Sequence, residues 1–293
     1  NRNLQVYLQK TESRRKEKEW RPGVICISKD SFIRERAFRL LNWLSYSYGF
    51  GTYLHRIDGY YSRATSQQAS EELAKLIDLY ETSHNHVYVD TIISPSYTSA
   101  IVQAIQVPGI SGMENNMVVF EYDKENPENL GEIIENMRLI KAGNFDICLL
   151  ASAAKEMNSS KGIHVWIDFN EPENASLLIL LSFIISGHPD WKKSFIRVFS
   201  TCKPGQVEDA RQEMAQLMGS GRLPITGKNV EIIEVTNGSS VRSFINDRSA
   251  SAALVLTGFS PETLKHNGES ILGGYGEVGT VLFVNSQYQK EIL

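Results

Sequence analysis

From Gly23 onward, short runs rich in Val and Ile alternate with amphipathic stretches of helical period, a pattern that predicts an α/β fold: a parallel sheet covered by helices. The runs are apolar at consecutive positions, as expected of strands buried on both faces. They predict strands at residues 24–28, 53–57, 87–93, 117–122 and 147–151, with helices in the gaps. Over residues 33–48, Ile33, Ala37, Phe38, Leu41 and Leu44 fall on one helical stripe, while Arg34, Glu35, Arg39 and Asn42 face away from it. Asn126 as N-cap with Pro127 at the first helical position opens another helix, whose stripe is Leu130, Ile133, Ile134, Met137 and Ile140 and which Gly143 closes.

After the polar stretch 155–161 the pattern starts again, with strands predicted at 163–168, 195–200, 230–235, 253–257 and 281–284. The chain therefore divides into a basic segment over 1–22, a first α/β subdomain over 23–155 and a second over 156–293. Each half opens with a glycine-led strand, at Gly23 or Gly162, and carries a late apolar strand, which hints at duplication. The stretch 175–185 is apolar nearly all round its helix and has to be covered on every side, either inside its subdomain or at a subunit interface.

Charge and composition narrow the functional classes. A net charge of −4 argues against a general nucleic-acid binder, which needs a basic face to displace counterions from phosphates. Cys26, Cys148 and Cys202 are widely spaced and sit in or beside apolar runs, so they read as small buried hydrophobes in a reducing compartment. The longest apolar stretch, 175–185, is too short to cross a bilayer, and the N-terminus lacks the shape of a signal peptide. Within residues 1–22, Lys10, Arg14, Arg15, Lys16, Lys18 and Arg21 outnumber Glu12, Glu17 and Glu19. Two readings stand: a charged solvated tail, or a juxtamembrane linker attracted to anionic lipid.

Motifs for chemistry are weak. Gly274, Gly276 and Gly279 match a dinucleotide fingerprint, but the loop runs into a strand where the fingerprint needs a helix to receive phosphate, so it reads as a turn. There is no GxSxG elbow, and the six histidines lack a recognisable nucleophilic partner in sequence. His84 and His86 could share one side of a strand, but without Cys or carboxylate partners they read as a strand-entry loop, not a zinc site. Glu121, Asp123, Glu125 and Glu128 flank a strand end and a helix start, where the dipole of that helix accounts for them. A ligand of an open parallel sheet would sit beyond the C-terminal strand ends, at 28–31, 94–97 and 152–156, which are polar but poor in glycine. No catalytic residue, metal site or cofactor is predicted.

Three stretches, Trp20-Arg21-Pro22-Gly23-Val24, Ile163-His164-Val165-Trp166-Ile167-Asp168 and Trp191 through Arg197 to Phe199, resemble the C-terminal region of cation-chloride cotransporters, the electroneutral sodium-potassium-chloride and potassium-chloride carriers. The second and third are separated by a leucine-rich helix, as in that family, and the likeness extends over nearly all of residues 20–293. The resemblance implies two tandem three-layer α/β subdomains similar to the universal stress protein fold, lying at the cytoplasmic face of the cell membrane below a bilayer-spanning domain that moves the ions. It further implies a homodimer that joins two transporter protomers, with no enzyme activity. Animal members carry long Ser/Thr-rich insertions as kinase targets, and the second half here lacks them. An adenine-nucleotide-sensing module of universal stress protein type is the alternative. In nucleotide-binding members of that class the late loop is glycine-rich, whereas 151–162 is not.

Overall fold

The computed structural model describes residues 20–81, 85–109, 114–219, 227–236 and 240–290. Lys10, Arg14, Arg15, Lys16, Lys18 and His84 lie outside these residues. The first half contains strands β1 (Gly23–Ser28), β2 (Phe50–Asp58), β3 (Val87–Ser94), β4 (Met117–Asp123) and β5 (Asp146–Ser152). Its helices are α1 (Arg36–Ser45), α2 (Arg63–Tyr80), α3 (Tyr97–Gln106) and α4 (Leu130–Ala142). The second half contains β6 (Ile163–Ile167), β7 (Ile196–Cys202), β8 (Val230–Glu234), β9 (Leu254–Gly258) and β10 (Thr280–Asn285). Its helices are α5 (Pro172–Ser186), α6 (Val207–Gly219), α7 (Val241–Ser249) and α8 (Pro261–Asn267). Every strand expected from the apolar runs is present.

Two helix starts differ from expectation. The first helix begins at Arg36, because the amides of Ile33 and Arg34 both donate to the Asp30 carbonyl and turn the chain first. Ile33 consequently leaves the stripe and is 83% exposed. The second begins at Leu130, not at Asn126 and Pro127. The Asn126 amide group donates to Glu128 and its backbone N–H to Asp123, so Asn126 belongs to the preceding turn. Gly143 closes that helix as expected, its N–H donating to Leu139 and Ile140 carbonyls.

The two halves share one sheet of ten strands, in the order β3-β2-β1-β4-β5-β10-β9-β6-β7-β8. Neighbours within each half are parallel, and β5 meets β10 antiparallel. Numbered within its own half, each set of strands has the same order, third-second-first-fourth-fifth, so the fifth strands join two like units across a local pseudo-twofold axis. The registers agree with that symmetry. Val24 pairs with Met117 as Ile163 pairs with Leu254, and Met117 pairs with Asp146 as Leu254 pairs with Thr280. These equivalences carry the duplication that the glycine-led strands hint at.

Helices cover both faces in the same symmetric way. α1, α2, α5 and α6 pack on one face, around Leu41, Leu76, Leu178 and Met214. α3, α4, α7 and α8 pack on the other, around Ile101, Met137, Ile245 and Leu264. Across the seam α1 touches α5 and α4 touches α8, each helix meeting its own counterpart. The all-round apolar α5 is thereby buried within the chain, between α1 and strands β6, β9 and β10, with Leu177, Ile179, Leu181 and Ile185 fully inaccessible. Burial on all these sides removes the mismatch of an apolar helix surface in water.

Candidate functional site

The seam between the halves is held by more than its ladder. Trp43 of α1 and Trp191, in the turn after α5, stand edge to face with ring centroids 5.1 Å apart, and the Trp43 indole N–H donates to Asp190 at 3.0 Å. Arg36 reaches across to the Thr280 hydroxyl at 2.7 Å and the Lys155 carbonyl at 3.0 Å. On the opposite face Lys141 of α4 pairs with Glu262 of α8. One step beyond the ladder, Asp146 accepts from the Gln287 N–H at 2.9 Å and from the Lys290 ammonium at 2.9 Å. Both side chains of that ion pair are inaccessible, at 1% and 0% exposure. Burial pushes the Asp146 carboxyl up and the Lys290 amine down, and the attraction between them opposes both shifts. The ammonium also lies 3.3 Å from the centre of the Tyr288 ring and 5.7 Å from that of Trp20.

The residues of the three resembling stretches are structural for the most part. Trp20 packs on the core and, through Lys290, ties the start of the described chain to its end. The Arg21 side chain is exposed, while its carbonyl accepts from Asn116 at 2.7 Å; the Pro22 carbonyl accepts from Phe50. Gly23 is demanded here, since a Cβ would lie 2.2 Å from the Glu114 carbonyl oxygen. Val165 is buried on one face of β6, and Trp166 on the other is stacked on Phe199, 4.6 Å between centroids and 10° between planes. The Trp166 indole N–H donates to the Ser249 hydroxyl at 3.0 Å, and the same hydroxyl is hydrogen-bonded to Nδ1 of His164 at 2.9 Å. Burial, with the Arg197 charge on the neighbouring strand, lowers the His164 pKa to about 4. Arg197 itself is exposed on β7. Asp168 lies just past the C-terminal end of β6, at the mouth of a crevice.

That crevice, about 420 Å³, opens at the C-terminal ends of β6 and β9. Here the chain leaves one strand for α5 and the other for α8, on opposite faces, the switch point at which open α/β sheets bind ligands. Trp166, Leu178, Ile245 and Phe259 give it an apolar floor. Asp168 and Glu171, from the segment after β6, and Ser240 and Arg242, at the start of α7, also line it. The strand-end loops singled out from the sequence lie instead in the first half. There the switch point between β1 and β4 is plugged: the Arg34 guanidinium donates to the Glu121 carbonyl and to Asn129, and Asn129 donates to the same carbonyl at 3.2 Å.

Register places Gly258 in the second half where Glu121 stands in the first. Glu121 is not explained by the helix that follows it, as the sequence suggested. Its carboxylate accepts from the Ala37 N–H at 2.8 Å, at the start of α1, and from Ser152 at 2.5 Å, and burial pushes its pKa up. At Gly258 the absent side chain leaves room for Asn174 and Glu171, which approach within 3.2–3.3 Å of where a Cβ would lie. The Gly274 to Gly279 loop leads into β10 as expected, and at Gly274 (φ +80°) the chain packs against Arg242. His86 lies in a strand-entry segment, its N–H bonded to Asn42 and its ring edge-on to Tyr46. Among the described residues there is no cluster of three His, Cys, Asp or Glu that could hold a metal, and no helix long and apolar enough to cross a membrane.

No family model matches the sequence. Solved structures do resemble the fold. The chain is similar to the cytoplasmic domain of a prokaryotic cation chloride cotransporter, with a TM-score of 0.60 and 15% identity over 93% of this chain and 98% of that one. It is similar to a functionally unknown protein from Pseudomonas aeruginosa PAO1, with a TM-score of 0.56 and 11% identity over 92% of each chain. A protein assigned to the universal stress protein class, from Pseudomonas aeruginosa UCBPP-PA14, gives 0.54 and 14% over 89% of this chain and 92% of that one. At these identities the likeness shows a shared fold, an α/β architecture of mostly parallel sheet interleaved with helices.

Proposed function

We propose that this chain is the regulatory and assembly domain of a cation-chloride cotransporter, a non-enzymatic module on the cytoplasmic side of a membrane domain that carries chloride with sodium or potassium. The observation that carries the reading is the match along almost the whole of both chains to the cytoplasmic domain of such a transporter, in both halves together and not in one subdomain alone. The cotransporter-like stretches around Trp20, Trp166 and Trp191 support it, since all three build the core and seam that fix how the halves sit together. A module with one continuous sheet and two helical faces suits assembly, because a docking partner that prefers one arrangement of the attached carrier biases it only through differential contacts. In this reading the chain forms a homodimer, and the basic segment before Trp20 faces anionic lipid.

Light scattering on the purified chain at high micromolar concentration should give twice the chain mass, and a strictly monomeric chain counts against the assembly role. The natural gene should encode about a dozen apolar helices of about 20 residues each ahead of this segment. A gene without them overturns the transporter reading.

A further inference from the structure

The crevice at β6 and β9 has a feature that neither the fold nor the transporter reading accounts for: unbalanced charge of opposite sign among the residues that line it. On the β6 side Asp168 uses one carboxylate oxygen for the Asn170 N–H and side-chain amide, while Glu171 is held by Asn174. Among the described residues neither acid makes an ion pair. Burial raises the Glu171 pKa, and the neighbouring charges of Asp168, Glu173 and Glu262 push it further in the same direction. That side is short of a cation. On the α7 side Arg242 donates to the Ile271 carbonyl at 3.1 Å and lies over the Tyr275 ring at 5.3 Å, and among the described residues no carboxylate pairs with it. Its guanidinium has five N–H donors, and the bonds to the Ile271 carbonyl and the Tyr275 hydroxyl leave capacity for an anion.

A nucleoside polyphosphate fits poorly, because its charge would face two carboxylates and one guanidinium. A lone metal ion would leave the guanidinium and the apolar floor without a role. The complementary ligand carries a primary ammonium, whose three donors suit Asp168 and Glu171, a carboxylate close beside it for Arg242, and a compact apolar body toward Trp166, Leu178, Ile245 and Phe259. We infer that the β6–β9 crevice is a binding site for a small zwitterion of the α-amino-acid class with an apolar side chain. Hydrogen bonds of Arg34 and Asn129 cross the first-half counterpart, so one site per chain is expected.

Calorimetry on the full chain tests this with L-leucine and L-phenylalanine as probes, against leucinamide, which lacks the carboxylate, and 4-methylpentanoate, which lacks the ammonium. At least one amino acid should bind with a stoichiometry of one, and its single-pole analogue should bind at least about tenfold more weakly, the loss expected for one charge-assisted contact. Asp168→Asn and Arg242→Met should each cost about tenfold, whereas Arg242→Lys should keep most of the affinity. Near-UV circular dichroism identifies any variant that has lost its packing, and Arg242→Lys then carries the test. Three results overturn the inference: no heat with either amino acid at millimolar concentration, equal binding of the amino acid and leucinamide, or ATP binding more tightly than both amino acids. None of these bears on dimerisation or on the membrane segments of the gene, so this site and the transporter reading can fail separately.

Discussion

Trp43 and Trp191 meet at 89° across the boundary between the two halves, a contact made by a helix of one unit and a turn of the other. Both indoles are buried, so the pair couples the stability of the halves. Trp191→Ala should destabilise by about 3–5 kcal/mol, through lost burial and the cavity left behind. A double-mutant cycle with Trp43→Ala should return about 0.5–1.5 kcal/mol of coupling beyond area. Urea unfolding measures both, and a loss under about 1 kcal/mol for Trp191→Ala would mean that the halves are stable without the contact.

The buried ion pair of Asp146 and Lys290 should be costlier to break from one side than to replace on both. Lys290→Met leaves an inaccessible carboxylate without its cation and should cost about 3–5 kcal/mol. Adding Asp146→Leu should recover part of that, because it removes the unpaired charge while the Gln287 N–H and the Ser286 hydroxyl lose their acceptor. If the double variant is no more stable than Lys290→Met, the charge balance is not what the pair contributes.

His164 gives the fold an acid-sensitive point with a definite sign. Its folded pKa of about 4 lies below the ordinary value of 6.5, so between these pH values the unfolded chain holds more protons than the folded one. Stability contributed by the neutral ring is complete above pH 6.5 and declines as pH falls toward about 4, by about 3 kcal/mol in all. His164→Asn should remove that part of the slope between pH 4 and 6.5 in chemical denaturation. A His164 ring that titrates near 6.5 by NMR would contradict the assignment.

Gly23 and Gly205 separate two reasons for glycine. At Gly23 a methyl group would press on the Glu114 carbonyl, and Gly23→Ala should cost several kcal/mol because backbone has to move. Gly205 has φ +83° with open space around it, so Gly205→Ala should cost about 1–2 kcal/mol, the left-handed penalty alone. Thermal unfolding of the two variants should rank them in that order.

The strands were readable because a strand buried on both faces is apolar at consecutive positions, and 117–120 in β4, 147–151 in β5 and 281–284 in β10 are such runs. The helix starts were not, because Ile33 and Asn126 each fit a helical period while local hydrogen bonds to Asp30, Asp123 and Glu128 hold them in turns. The joining of two sheets into one left no mark in the pattern: an apolar fifth strand needs a neighbour, but which edge supplies it depends on register between distant segments. Asp146 carried a signal, a carboxylate at the entry to an apolar run, whereas Lys290 looks like any charge near a chain end. The crevice residues Arg242 and Tyr275 are ordinary in sequence, and Gly258, where the other half has Glu121, gives Asn174 and Glu171 room beside them. Of the residues chosen for their cotransporter likeness, Trp166 and Asp168 reach it.

Once the two fifth strands have paired, neither is available to anything else. An encounter that separate copies would have to repeat, subject to dilution, is written into one polypeptide and holds at any concentration. Each repeat was thereby released from having to match itself, and one could fill its opening with a guanidinium while the other stayed hollow. Any further copy has to approach by the outermost strands, β3 or β8, or by the helical layers.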